Sequence, residues 1–253
     1  MPAKPSERQL SADQLGYFRR DITPQRAEQH RKLVQLICDA AGNGSSPVRM
    51  ADLGGGDGRV LDGCLDARPG STAVLVDVAQ EMVDANLQRP DKTVLRGNLV
   101  DLDPVLPEGM LFDVILFNVV LHHCIDDSVA ATRDLQRRIL RAAAGRLAPG
   151  GRILVLEQVH ESPLVPDLAP WFIYQLTSSR ILPGILRPLG ANTAGVGVLF
   201  ASERRLLRLF ESAELDVSDA RLFRMDGHSW KLLVSGVTRS YQKLFVLQPR
   251  GRT

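Results

Sequence analysis

Apolar residues fall along this chain in short β-like runs that alternate, from residue 48 onward, with longer stretches of helical spacing. Residues 42–47, GNGSSP, have turn chemistry and lead into an apolar run at 48–53 that predicts a first strand. Further strands are predicted at 74–76 with its flanks, 93–95, 113–117 and 152–156. Helical patterns fill the gaps at 59–66, 80–88 and 128–147, the last stopping at Ala148-Pro149-Gly150-Gly151. Repeated βαβ units imply right-handed crossovers and a parallel sheet. Upstream, residues 10–38 predict two helices broken at Pro24. Downstream, prolines interrupt the apolar stretch 160–200 too often for a regular layer, and it predicts a covering lid. A helix at 202–212 with Ser202 as N-cap follows, then strands near 215–223 and 241–247 that would pair antiparallel at one sheet edge.

A length of 253 residues suits a single domain. Its expected parts are an N-terminal helical cap (1–46), a ligand-binding core (47–157), a lid (158–200) and a C-terminal helix with edge strands (201–253). Hydrophobic residues at 44% and charged residues at 24% are ordinary for a globular protein. A net charge of +2 is too small for the basic stripe that nucleic acid demands, so no nucleic-acid partner is expected. Cys38, Cys64 and Cys124 are far apart in sequence, show neither metal-ligand nor disulfide spacing, and are read as small buried apolar residues. No metal is expected. The polar opening MPAKPSERQL lacks the apolar core of a signal peptide, and no apolar run approaches a membrane span, so a cytoplasmic location without membrane contact is expected.

The most informative segment is Asp52-Leu53-Gly54-Gly55-Gly56-Asp57-Gly58, between a predicted strand and a predicted helix. Glycines there allow a tight turn at positive φ and let a ligand approach the backbone without meeting a Cβ. A dinucleotide fingerprint fails, because counting G-x-G-x-x-G from Gly54 puts Arg59 in the third glycine's place. The pattern D-x-G-x-G-x-G instead resembles motif I of the class I S-adenosylmethionine-dependent methyltransferases of the small-molecule type. The resemblance runs from about Val48 to Leu156. Phe112 to His123 is similar to motif IV with a Leu-His-His ending, and Leu147-Ala148-Pro149-Gly150-Gly151 to the turn of motif V.

The resemblance implies a Rossmann-like, doubly wound α/β sheet, mostly parallel with an antiparallel edge strand, and S-adenosylmethionine as cofactor. It implies that Asp52, Gly54, Gly56 and Gly58 cradle the methionine part, that Asp77 accepts the ribose hydroxyls, and that Val78 and Met82 flank the adenine. Asn98 stands where an aspartate is usual, beside Leu99. Asn118 and Val119 complete the cofactor side. An isolated Asp77 is equally a helix-capping carboxylate.

His122 and His123, just past the fourth strand, and His160, just past the fifth, lie on the edge where open α/β sheets bind ligands and are the candidate general bases. Each is also readable as a loop-fixing residue. His30 and His228 sit in poorer contexts. Tyr17 and Phe18 would close over the cofactor from the N-terminus, or pack in their own helix. Asn118 is followed by Val119-Val120 rather than Pro-Pro and an aromatic, which removes DNA-base and glutamine methylation. Trp171, Phe172 and Tyr174, with Ile181, Leu182 and Leu186, make the lid apolar and suit an apolar or aromatic small-molecule acceptor, although the same residues could pack on the sheet or form a homodimer face. O-methylation in a biosynthetic pathway leads. Alternatives are N- or C-methylation, or a cyclase or regulatory protein that keeps the cofactor without transferring methyl.

Overall fold

Strands buried on both sides need helices on both sides, and the pattern of burial follows that rule. In the computed structural model, which describes residues 24–42, 44, 46–162, 168–178, 197–226 and 236–251, one seven-stranded sheet runs in the order β3-β2-β1-β4-β5-β7-β6. The strands are β1 Arg49–Leu53, β2 Thr72–Asp77, β3 Lys92–Arg96, β4 Phe112–Asn118, β5 Leu147–Glu161, β6 Leu215–Met225 and β7 Arg239–Pro249. The described helices are α1 Pro24–Ala41, α2 Arg59–Ala67, α3 Gln80–Asp84, α4 Val129–Gly145, α5 Leu168–Ser178 and α6 Glu203–Ser212.

Helical spacing decides which face each helix covers. Leu33 and Ile37 of α1 and Leu61 and Leu65 of α2 pack with Met50, Leu75, Val114 and Leu154 on one face of the sheet. Leu135 and Ile139 of α4 and Leu206 and Phe210 of α6 pack with Leu53, Val74, Ile115 and Val155 on the other. Both α4 and α6 begin at serine caps: Ser128 Oγ accepts from Ala131 N (3.1 Å) and Ser202 Oγ from Arg205 N (3.3 Å).

Strands β1 to β5 are mutually parallel, and β7 runs antiparallel to both β5 and β6. The antiparallel strand is therefore one place in from the edge. Leu244 to Leu247 are almost completely buried, whereas β6 alternates between exposed and half-buried positions, so the more apolar strand takes the inner position. Further boundaries differ from the sequence expectation, and β5 runs to Glu161 rather than 156, so that His160 lies inside the strand and not past it. Helix α3 ends at Asp84 rather than 88, because Asn86 Nδ2 binds Met82 O (2.8 Å) and Gly56 O (2.9 Å) and draws the chain out of the helix. Strand β5 begins at Leu147, since Leu147 pairs with Phe112 and the Pro-Gly-Gly turn is the strand's bent entry rather than a loop.

Strand order reverses between β1 and β4, which opens a crevice at the carboxyl ends of the strands. The opposite end of β1 is held by Arg68. Its side chain is buried and donates to Cys38 O (3.1 Å), Gly42 O (2.8 Å) and Ser46 O (2.9 Å), closing the α1–β1 connection. Arg68→Met should keep the apolar stem but strand these carbonyls, lowering stability by about 2–4 kcal/mol. Urea unfolding would show this as a lower midpoint at unchanged slope; an unchanged midpoint would mean the carbonyls find other donors.

Candidate active site

The glycine loop is fastened to the end of β2. Gly54 N donates to Val76 O (2.7 Å), and Gly56 N to Asp77 Oδ2 (2.9 Å), while Asp77 Oδ1 accepts from Ala79 N (2.9 Å). Asp77 thus holds the loop and starts the turn into α3 with opposite oxygens of one carboxylate. Burial raises its pKa, against the pull of these backbone donors.

Gly54, Gly56 and Gly58 all have positive φ but face different surroundings. A Cβ on Gly54 would meet Val120 Cγ2 at 2.4 Å, and one on Gly58 would meet Asn86 Oδ1 at 2.1 Å. A Cβ on Gly56 would meet nothing within 4 Å. Gly54 and Gly58 therefore permit close packing within the protein, and Gly56 leaves open space for a ligand. Beneath Gly58 lies a polar group that the sequence analysis did not single out. Lys92 Nζ, fully buried, donates to Asp62 Oδ1 (2.6 Å) and Asn86 Oδ1 (3.1 Å), and Asn86 in turn supports Gly56 O.

The other cofactor candidates divide by exposure. Val78 is 41% exposed, Met82 is buried against Ala79, and Leu99 belongs to the core. Asn98 is exposed, and its Oδ1 accepts from Val100 N (3.1 Å). Asn118 ends β4, and Val119 follows at φ 56°. That value is costly for a β-branched residue, on the order of 1–3 kcal/mol, and it is retained where the chain leaves β4 for the histidines. Val119 N donates to Leu156 O (2.8 Å), which fixes the departure.

Leu121–His123 then form one 3-10 turn. Glu157, buried in β5, holds it: Oε1 accepts from Leu121 N (2.8 Å), and Oε2 from His122 Nδ1 (2.8 Å) and Gln158 N (3.1 Å). Donation from Nδ1 to the carboxylate assigns the proton to that nitrogen and leaves Nε2 as acceptor. Glu157 was missed as a site residue; its signal was an acid inside the apolar run ILVLEQV. His123 stacks on His122 at 4.2 Å, and burial together with that neighbour holds its pKa well below the ordinary imidazole value. His160 is buried, its Nδ1 has no partner among the described residues, and burial pushes its pKa down to about 4. Phe200 joins the cluster, its ring 4.7 Å from His122 and 4.3 Å from His160. His30 instead serves the fold, with Nε2 3.0 Å from Arg59 O.

Of the acceptor-side candidates, Trp171 and Phe172 are 46% and 43% exposed on α5. Tyr174 is buried with Ile125 and Leu199, and its hydroxyl donates to Asp126 O (2.7 Å), so it anchors the segment after the histidines. Tyr17, Phe18, Ile181, Leu182, Leu186 and His228 lie outside the described residues. Cys38 and Cys64, distant in sequence, pack in the same apolar cluster of α1 and α2, Cys64 buried and Cys38 half-buried. No helix among the described residues is long and apolar enough to cross a membrane.

A protein family described as a methyltransferase domain matches residues 51–153. The mitomycin biosynthesis 6-O-methyltransferase of Streptomyces lavendulae is 30% identical over 136 residues, which are 51% of this chain and 36% of that protein. The structure of a mitomycin 7-O-methyltransferase superposes with a TM-score of 0.53 at 19% identity, over 89% of this chain and 58% of that one. Human N-acetylserotonin methyltransferase, solved in complex with S-adenosylmethionine, gives 0.56 at 18% identity over 94% and 56%. The chain thus spans between about one third and just over half of these relatives' lengths.

Asp52 differs electrostatically from every other group at the site. It is completely buried at the end of β1, neither carboxylate oxygen has a hydrogen-bond partner among the described residues, and its pKa rises from 3.8 to about 7 through burial first and the nearby Asp77 second, with Lys92 opposing. Because the folded protein holds this proton more tightly than the unfolded chain, stability falls as pH rises from about 4 to 7, by up to about 1.4 kcal/mol per pH unit. Asp52→Asn should remove that contribution, so the variant gains on the wild type between pH 5 and pH 8 in urea unfolding of the ligand-free protein. Asp77 is present in both proteins, and its repulsion of Asp52 is part of the contribution the substitution removes. Parallel stability curves would show that Asp52 is ionised throughout.

Proposed function

We propose that the chain is a class I S-adenosylmethionine-dependent methyltransferase that transfers methyl to a hydroxyl of a small, largely apolar or aromatic molecule, a reading supported by the methyltransferase-domain match over residues 51–153. The observation that carries this reading is the imidazole of His122, held by Glu157 at 2.8 Å on the same sheet edge as the glycine loop. Val120 places the two side by side, since it packs against Gly54 and directly precedes the histidine turn.

The residues present fit the cofactor. Gly56 leaves room along the backbone, and each oxygen of Asp77, with one backbone donor already bound, keeps capacity to accept from a ribose hydroxyl. Val78, Met82, Asn98, Leu99, Asn118 and Val119 would line the rest of the cofactor site. Asp52, buried beneath the loop and holding its proton up to about pH 7, would be drawn to its ionised form by a ligand carrying positive charge. When bound, S-adenosylmethionine supplies a methyl group activated by its sulfonium. His122 Nε2 takes the proton of the acceptor hydroxyl, and Glu157 keeps the ring oriented and stabilises the imidazolium that results. Phe200 and the buried flank of His160 keep water from the imidazole. The exposed rings of Trp171 and Phe172 offer the apolar surface for the acceptor's body.

The similarity to a mitomycin biosynthesis 6-O-methyltransferase and to a mitomycin 7-O-methyltransferase supports a hydroxyl acceptor. The direct experiment is incubation with methyl-labelled S-adenosylmethionine and a panel of phenols, hydroquinones and amines. Label should appear on phenolic oxygen. Label on amines alone would overturn the oxygen reading, and tight cofactor binding without transfer to any acceptor would favour a protein that keeps the cofactor for another purpose.

Two variants test the assignment of residues. Gly56→Ala should cost only about 1 kcal/mol in stability, since the space is open and the positive φ is the main penalty, yet weaken cofactor binding at least about tenfold by calorimetry. His122→Ala should lower kcat by roughly 10²- to 10⁴-fold with little change in cofactor Kd, and the deficit should shrink as pH approaches the acceptor's own pKa. A larger loss in His123→Ala than in His122→Ala would move the base to the neighbouring ring.

A further inference from the structure

Phe200 has a second face. Besides stacking on His122 and meeting His160 at a tilt, it lines a groove of about 360 Å³ between α4 and α6, a volume within the range of about 300–1,000 Å³ typical of small-molecule sites. Leu199, Leu206 and Leu209 complete an apolar lining with Phe200. The charged lining is one-sided: Arg133 and Arg137 from α4 and Arg205 and Arg208 from α6 stand against the single carboxylate of Asp134. Asp134 is itself engaged by Arg137 and Arg138. An apolar floor beneath an excess of guanidinium groups is complementary to a molecule with an apolar body and an anionic head, because guanidinium binds carboxylate or sulfonate with paired, charge-assisted hydrogen bonds.

The groove also reaches the histidine turn through a second residue. Gln136 lines it, and Gln136 Nε2 donates to Leu121 O (2.8 Å) and Cys124 O (3.4 Å), the two carbonyls that bracket His122 and His123. An occupant would therefore touch both residues that support the turn from this side. We propose that the α4–α6 groove binds a small amphiphilic organic anion and that its occupancy is felt at the His122 and His160 rings through Phe200 and Gln136. The proposal does not depend on methyl transfer, since binding is read directly.

The test uses a matched pair of fluorescent probes, 8-anilinonaphthalene-1-sulfonate and its uncharged counterpart N-phenyl-1-naphthylamine, titrated into the full-length protein. The sulfonate should bind at least about tenfold more tightly than the uncharged probe. The Arg137→Ser/Arg208→Ser double variant, altered at two groove positions outside the histidine cluster, should lose that advantage. Arg141→Ser, which changes an exposed arginine of α4 outside the groove, should keep it. Added sulfonate should also shift the imidazole resonances of His122 and His160 in the wild type and leave them in place in the double variant. Equal binding of the two probes, equal loss in Arg141→Ser, or undiminished sulfonate binding in the double variant would each overturn the groove as an anion site. Saturable binding with unmoved histidine resonances would overturn the link to the turn.

Discussion

A carboxylate taken fully out of water must be given donors, and the way Glu157 meets that demand shapes the candidate active site. It sits in the middle of the apolar strand β5 and receives the backbone N–H groups of Leu121 and Gln158 together with the Nδ1 of His122. The connection from β4 therefore cannot drift: it must turn back toward β5 within a few residues, and it does so through Val119 at positive φ and a single 3-10 turn. One buried charge thus fixes the backbone of the turn, the tautomer of its first histidine and the strained departure that precedes it. Removing the charge while keeping the histidine would leave a ring in place with no cause for its orientation.

The glycine loop obeys a parallel constraint with a different solution. Asp77 is satisfied by Gly56 and Ala79, so its oxygens already have work in the ligand-free protein. The capping and ligand-binding roles that compete in the sequence are therefore compatible in space, because each carboxylate oxygen has more than one acceptor site. Lys92, Asp62 and Asn86 form a buried polar bed under the same loop, and the space a side chain at Gly58 would need is taken by that bed. Asp52 is the exception, a buried carboxyl with no donor on either oxygen among the described residues. A fold that satisfies Glu157 and Asp77 so fully yet leaves Asp52 unpaired at the mouth of the loop concentrates its electrostatic strain where a cationic ligand would relieve it.

Phe200 connects these elements to the outer layer of helices. It is reached only after the chain has left β5 and returned, and Ala201 beside it pairs with Val159 and accepts from His160 N (3.1 Å). The histidine turn is consequently enclosed between β5 on one side and the 199–201 segment on the other, with α4 contributing Gln136. Chemistry at the sheet edge and charge on the α4–α6 face are separated by little more than one aromatic ring and one amide.

Much of this was legible in the sequence because it depends on local patterns. Period-two and period-3.6 spacing identified the strands and most helices, and serine caps marked the starts of α4 and α6. The run of glycines after β1 and the paired histidines after β4 announced a ligand edge, since both features sit at strand ends whatever the rest of the chain does. What the sequence could not decide were relations across the fold. Whether β7 or β6 takes the inner place depends on which one the neighbouring strand buries better. Which of Gly54, Gly56 and Gly58 faces open space depends on Val120 and Asn86, dozens of residues away. That Glu157 rather than another acid holds His122, and that Lys92 lies buried under the loop, follow from parallel register, which brings Asn118 beside Leu156 and Asp77 beside Arg96. Side-chain identity along a strand is written in the sequence, but the partner of a buried charge is set by register and layer packing, and these exist only once the sheet has closed on its helices.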